Sequence, residues 1–78
     1  MEREKVIKLI RDIASGNDPY KTADAGYAEF RKDYYTKFLN ALERDDTGAK
    51  FALDRICDKD SVDDITETMA WMESWLTF

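Results

Sequence analysis

The sequence contains no histidine, one cysteine, one proline and three glycines among its 78 residues. Histidine is the usual general base near neutral pH and the commonest metal ligand, so its absence argues against most acid–base and metal-dependent catalysis. A structural zinc site needs about four cysteine or histidine ligands, which a single cysteine does not supply. One cysteine, Cys57, also excludes an internal disulfide, so folding does not depend on an oxidising compartment.

Long apolar runs are also missing. No segment approaches the roughly 18 apolar residues of a membrane-spanning helix. The first residues, Met-Glu-Arg-Glu-Lys, lead directly into an amphipathic pattern without the apolar core of a secretory signal. The isolated glycines at positions 16, 26 and 48 form no phosphate-binding loop. We therefore expect a cytoplasmic protein (in the host cytosol if it is viral) with no cofactor and no membrane association.

The residues that are present are typical of a small helical domain. Aromatic side chains make up 13% of the chain, which favours a packed core over disorder. Apolar residues recur at the three- and four-residue spacing of helices, and no segment alternates as a strand does. The sequence predicts one all-α domain over 1–78, a bundle of three to four helices at about 3–14, 24–44, 48–58 and 62–76.

Capping residues mark the predicted helix boundaries. Gly16 is the expected left-handed end of the first helix, and a short helical turn is expected at 19–24. Either Asp24 or Thr22 caps the second helix, and Thr47 caps the third. Ser61 followed by Asp64 resembles a capping box at the start of the last helix.

One apolar stripe on each predicted helix is expected to face the core. These stripes comprise Val6, Leu9, Ile10 and Ile13; Tyr27, Phe30, Tyr34, Phe38 and Ala41; Ala49, Ala52, Leu53 and Ile56; and Val62, Ile65, Met69, Met72 and Leu76. Neighbouring residues on a helix point about 100° apart, so we expect at most one of Tyr34 and Tyr35 to lie fully in the core.

The last helix carries a second apolar stripe, formed by Trp71, Trp75 and Phe78. Two adjacent stripes make a wider apolar face than a bundle of this size easily covers, and tryptophan is enriched in interface hot spots. We interpret these three residues as an apolar anchor for a partner. The alternative is that they fill the protein's own core.

Charge is concentrated in the same part of the chain. Residues 1–53 contain ten acidic and ten basic residues, whereas residues 54–78 contain seven acidic and two basic residues, so the last third holds the whole net charge of −5. A dense acidic patch is predicted at the turn before the last helix, formed by Asp58, Asp60, Asp63, Asp64 and Glu67. Such a patch attracts basic surfaces, although a solvated turn with favourable helix-start charges is the better explanation.

Other chemistries find little support. Asp58 and Asp60 match the start of a calcium-binding loop, but Val62, Asp63 and Met69 occupy positions that need an oxygen ligand, glycine and glutamate. Cys57 lies between acidic residues that raise a thiol pKa, so we interpret it as a small apolar residue. Bases and tyrosines alternate in the second helix, yet the acidic total disfavours direct nucleic-acid binding. We predict neither a catalytic residue nor a metal site.

These observations favour a non-enzymatic protein that works by protein–protein contact. The leading hypothesis is an inhibitor or modulator of a larger protein with a basic surface, such as one that binds nucleic acid. The acidic patch would set the encounter, and the tryptophans would anchor it. Phage anti-defence proteins and nuclease immunity proteins share this size and charge, although no motif links them to this chain. The alternative is a homodimer or small assembly domain that uses the regular methionine and tryptophan pattern of the last helix.

Overall fold

The described part of the chain forms four α-helices. The computed structural model describes residues 1–20 and 24–78, and within those ranges it contains no β-strand. The helices are α1 (Arg3–Ala14), α2 (Ala25–Glu43), α3 (Thr47–Cys57) and α4 (Val62–Trp75). The predicted all-α bundle is confirmed, and each helix begins and ends within one residue of its predicted position. None of the helices in the described part of the chain has the length and apolar character that crossing a membrane requires.

Side-chain caps define two helix starts as predicted. A carboxylate oxygen of Asp24 accepts hydrogen bonds from the backbone N–H groups of Gly26 and Tyr27, at 2.9 and 3.1 Å. The Ser61 hydroxyl accepts a hydrogen bond from the N–H of Asp64 at 3.1 Å. Each cap satisfies donors that have no partner within the helix.

The cap of α3 differs from the prediction. Asp46, and not Thr47, is the N-cap: its carboxylate accepts a hydrogen bond from the N–H of Ala49 at 2.9 Å. The preceding residue, Asp45, adopts a left-handed backbone with φ of 58°. After this turn, α3 begins at Thr47, one residue before its predicted start. Gly16 ends α1 with φ of 92°, as predicted. The alternative cap Thr22 and residues 21–23 of the helical turn predicted at 19–24 lie outside the described residues.

The core draws on all four helices. The fully or nearly fully buried apolar side chains are Val6, Ile10, Ile13, Tyr34, Tyr35, Phe38, Ala41, Ala49, Ala52, Leu53, Ile56, Ile65, Met69 and Met72. Most members of the predicted stripes are therefore buried. Leu9 and Leu76 are half-buried against the core. Tyr27, Phe30 and Val62 are exposed because they lie near the ends of their helices, beyond the packed centre.

Both tyrosines at the centre of α2 are buried, contrary to the prediction that at most one would be. Tyr35 is fully buried and Tyr34 is only 7% exposed. The Tyr34 hydroxyl lies against the end of α4, where the carbonyl oxygens of Met72 and Leu76 accept its hydrogen bond at 2.8 and 2.9 Å. Phe78 covers the Tyr34 ring edge to face, with ring centres 5.4 Å apart. The residues after α4 thus bury Tyr34, which the helical pattern placed at the edge of the core.

Candidate functional site

The five residues of the acidic patch are all exposed, on the turn that follows α3 and on the first half of α4. The N-terminal ammonium of Met1 lies 3.2 Å from the Asp60 carboxylate and also donates hydrogen bonds to the carbonyl oxygens of Cys57 and Lys59. The other four carboxylates, those of Asp58, Asp63, Asp64 and Glu67, form no ion pair with any described residue. They therefore leave their negative charge open to solvent or to a partner.

The predicted apolar anchor divides into two parts. Trp75 is 74% exposed and Trp71 is 37% exposed, one helical turn apart on α4. Phe78 follows the extended residue that ends the helix, and it packs against the core, with its ring centre 5.0 Å from that of Phe38. The structure thus separates Phe78 from the two tryptophans, because the chain leaves the helix before reaching it.

The acidic and aromatic side chains share one side of α4. Asp64, Glu67, Trp71 and Trp75 follow one another at spacings of three, four and four residues, which keeps them on one stripe of a helix. The buried residues Ile65, Met69 and Met72 lie on the neighbouring side and pack into the core. The acidic end and the tryptophan end of α4 therefore form one continuous surface.

Helix α3 lies beside this stripe, and a shallow groove of about 280 Å³ separates the two helices. Arg55 and Lys59 line the α3 side of the groove, and Asp64, Glu67 and Trp71 line the α4 side. The guanidinium carbon of Arg55 lies 4.9 Å from the centre of the Trp71 ring and 5.7 Å from that of Phe51. Two aromatic rings thus hold Arg55 by cation–π contact.

We name this surface the α3–α4 face. It comprises Phe51, Arg55 and Lys59 of α3 and its following turn, and Asp64, Glu67, Trp71 and Trp75 of α4. The sequence prediction missed Phe51, Arg55 and Lys59 as members. Phe51 is 53% exposed, and its position outside the α3 core stripe of residues 49, 52, 53 and 56 is the signal that identifies it.

A second polar cluster lies inside the protein, around Arg31 of α2. Arg31 is only 5% exposed. Its guanidinium donates hydrogen bonds to the Asp18 carboxylate, the shortest at 2.6 Å, and to both oxygens of Glu73 on α4, at 3.1 and 3.2 Å. The Tyr27 hydroxyl donates a further hydrogen bond to Glu73 at 3.1 Å. Arg31 also lies over the rings of three tyrosines, at 5.4–5.9 Å: Tyr20, Tyr27 and Tyr35.

The single cation of this cluster pairs with two carboxylates. Burial works to lower the pKa of Arg31, but the hydrogen bonds to Asp18 and the charge of Glu73 outweigh it and raise that pKa. Burial raises the pKa of Glu73, and the Arg31 charge offsets only part of the effect. Because Arg31 uses its donors within the protein, the cluster ties α2, α4 and the loop after α1 together. Between 5% and 16% of each charged side chain is exposed, so the cluster presents little charge to a phosphate or another ligand.

Cys57 is partly buried at the end of α3 and packs against the core. Burial first, and the neighbouring Asp54 charge second, raise the pKa of its thiol, while the nearby Arg3 lowers it in part. The raised thiol pKa agrees with the sequence interpretation, although burial contributes more than the acidic neighbours do. A thiol of this kind is a poor nucleophile at neutral pH.

The α3–α4 face combines two exposed tryptophans, the carboxylates of Asp64 and Glu67, and an arginine that packs against two aromatic rings. Groups of these kinds are common in protein–protein interfaces. The Arg31 cluster joins α2 to α4 on the other side of α4, and Cys57 packs against the core. No protein-family model matches this chain, and no curated protein or solved structure is significantly similar to it.

Proposed function

We propose that this protein is not an enzyme and that it acts by binding a larger protein through the α3–α4 face. The observation that carries the proposal is the exposure of Trp75 beside Trp71, on the side of α4 that also carries Asp64 and Glu67. Exposing a tryptophan to water forfeits the stabilisation that its burial would supply. A partner that covers both tryptophans would recover that free energy, which is why exposed aromatic residues often mark interaction sites.

The carboxylates define the kind of partner. Two residues of the acidic patch, Asp64 and Glu67, lie on the same side of α4 as the tryptophans, and four of the five patch residues lack an ion pair among the described residues. Unpaired surface charges speed the encounter with an oppositely charged surface and contribute less to the final affinity. The partner that fits best is a protein with a basic surface.

Basic surfaces of this kind commonly bind nucleic acid, because lysine and arginine neutralise phosphates. Carboxylates can occupy the same surface in place of phosphates. We therefore propose that the protein inhibits or modulates a nucleic-acid-binding protein by covering its basic surface. The tryptophans then supply the apolar contacts that distinguish this binding from a purely ionic one.

The experiment begins by locating the partner at the face itself. A photoreactive phenylalanine analogue in place of Trp75 is irradiated in a lysate of the source cells, and the crosslinked protein is identified and purified. Its dissociation constant is then measured with the unmodified protein and with Trp75→Ala. We expect the substitution to weaken binding by at least about 2 kcal/mol, or roughly 30-fold.

Two matched controls separate the face from general effects. Val62 is also exposed on α4 but lies outside the face, so Val62→Ala should leave the affinity unchanged. The double variant Asp63→Lys/Asp64→Lys should slow association and flatten its salt dependence. Glu29→Lys/Glu43→Lys changes the net charge equally at exposed positions on α2 and should do neither. A crosslinked protein that binds Trp75→Ala and the Asp63/Asp64 variant as tightly as the unmodified protein would contradict the proposal.

A further inference from the structure

The two sides of the groove in the α3–α4 face carry opposite charges. Arg55 and Lys59 line the α3 side, and Asp64 and Glu67 line the α4 side. Neither basic residue forms an ion pair with any described residue, and neither acidic residue does. The groove thus presents a basic row and an acidic row side by side, with the charges of both unpaired.

A surface with this arrangement is complementary to itself. A two-fold axis that runs along the groove turns one copy of the face onto another and exchanges the two sides. The basic row of one copy then lies opposite the acidic row of the other, and the reverse pairing follows by symmetry. From this complementarity we infer that the α3–α4 face pairs with a second copy of this chain, with Arg55 opposite Glu67 and Lys59 opposite Asp64.

The apolar residues of the face strengthen the same arrangement. Phe51 on α3 and Trp71 on α4 flank the Arg55 guanidinium, so the same rotation brings the Phe51 side of each copy toward the tryptophans of the other. The methionine pattern of α4 takes no part, because Met69 and Met72 are fully buried in the protein's own core. Pairing through α4 therefore uses only the tryptophan part of the methionine and tryptophan pattern that the sequence suggested.

The small area of the face and the net charge of each copy both favour a weak dimer. A specific interface buries at least about 1,200 Å² in total, or about 600 Å² from each copy. That is roughly one-eighth of the 5111 Å² surface of this chain, an area that one side of two short helices can supply. Each copy also carries a net charge of −5, which opposes association over longer distances. We therefore expect a weak dimer with a dissociation constant in the micromolar range.

This inference uses the same face as the proposed function, but it does not require the other partner to exist. The dimer covers Trp71 and Trp75 when no partner is bound, and a partner must then displace the second copy. Measurements on the purified protein alone test the dimer, and measurements with the crosslinked partner test the proposed function, so the two proposals can fail separately.

Analytical ultracentrifugation of two charge-reversal variants tests the inference. We expect the mean mass of the unmodified protein to rise from 9.1 kDa toward twice that value between about 10 μM and about 1 mM. Arg55→Glu alone and Glu67→Arg alone should each remain monomeric, because like charges then face one another twice in the dimer. An equal mixture of the two variants should associate again, because both facing pairs are then of opposite charge.

Folding of each variant is checked by circular dichroism. If either variant fails to fold, Lys59→Glu mixed with Asp64→Lys replaces the pair and carries the same expectation. Trp75→Ala should abolish association, whereas Val62→Ala should preserve it. The inference is overturned if the unmodified protein stays monomeric throughout the concentration range, or if the mixed variants associate no better than each variant alone.

Discussion

The Arg31 guanidinium donates hydrogen bonds to both carboxylate oxygens of Glu73, at 3.1 and 3.2 Å, and so joins α2 to α4 inside the protein. Both side chains are about 95% buried, and Asp18 supplies a second carboxylate to the same arginine. Buried charges stabilise a fold only while each has its partners. The position of α4, and with it the α3–α4 face, therefore depends on this pair.

Removing Arg31 should destabilise the protein strongly. We expect Arg31→Met to lower the free energy of unfolding by about 3–5 kcal/mol, because it leaves two carboxylates without their cation. Adding Glu73→Leu should restore part of the loss, since the second substitution removes one of the uncompensated charges. Lys37→Met provides the control, because the Lys37–Asp33 pair is exposed and should contribute less than about 1 kcal/mol. Urea denaturation measures the free energy of unfolding of the unmodified protein and of the three variants. Equal losses for Arg31→Met and Lys37→Met would refute the stabilising role of the buried Arg31 cluster.

The adjacent tyrosines of α2 should respond differently to loss of their hydroxyl groups. Tyr34→Phe removes a hydrogen bond to the end of α4 and should cost about 1–2 kcal/mol of stability. The Tyr35 hydroxyl is buried without a hydrogen-bond partner of normal geometry among the described residues, so Tyr35→Phe should cost less than about 0.5 kcal/mol. Denaturation curves of the two variants make the comparison, and a larger loss for Tyr35→Phe would show that this hydroxyl has a partner.

Stability should fall at alkaline pH. Burial raises the pKa values of Tyr27, Tyr34 and Tyr35 above the ordinary 10.0, and the Glu73 charge adds to the effect. The folded state therefore holds these protons more tightly than the unfolded state. Their contribution to stability is fully present below pH 10 and is lost as the pH rises above it.

Urea denaturation at a series of pH values, with phenolate absorbance recorded in parallel, measures this loss. We expect the free energy of unfolding to decrease steadily above about pH 10 and the buried tyrosines to ionise together with unfolding. Ionisation of every tyrosine near pH 10 in a protein that remains folded would contradict the burial of Tyr34 and Tyr35.

The start of α3 offers a test at two neighbouring residues. Asp46→Ala should lower stability by about 1 kcal/mol, because it removes the hydrogen bond to the N–H of Ala49. Thr47→Ala should have a much smaller effect, since Thr47 is the first helical residue and not the cap. Thermal unfolding of the two variants distinguishes them, and the opposite order would restore the cap that the sequence predicted.

The helices were predictable from the sequence because their boundaries depend on local chemistry. Asp24, Gly16 and Ser61 act within one turn of their own positions, and the apolar spacing identifies the buried sides of the helices. The pairing of Arg31 with Asp18 and Glu73 was not predictable in this way. Those residues lie 13 and 42 positions away, and their approach depends on how the helices pack.

The candidate site was predicted in part for the same reason. The pattern along α4 placed Trp71 and Trp75 beside acidic residues, which requires only helical geometry. It also assigned Phe78 to that stripe, because periodicity alone does not show that the helix ends at Trp75. The contribution of Arg55 depends on α3 lying beside α4, which is a tertiary contact.

Substitutions at the end of the chain should separate the face from the core. Trp75→Ala should change the free energy of unfolding by less than about 0.5 kcal/mol, because Trp75 is largely exposed. Phe78→Ala should cost about 2 kcal/mol, because Phe78 packs against Tyr34 and Phe38. Urea denaturation compares the two. If Trp75→Ala is as destabilising as Phe78→Ala, then Trp75 belongs to the core.

The most direct test of the α3–α4 face is a nuclear magnetic resonance spectrum of the two tryptophan indole N–H groups. It is recorded with and without the purified partner that the crosslinking experiment identifies. The chain contains only two tryptophans, so each signal can be assigned by a single substitution. We predict that both indole signals shift or broaden on binding while the backbone signals of α1 remain in place. Unchanged indole signals, together with shifts confined to α1 or α2, would show that the partner binds elsewhere and would contradict the assignment of this face.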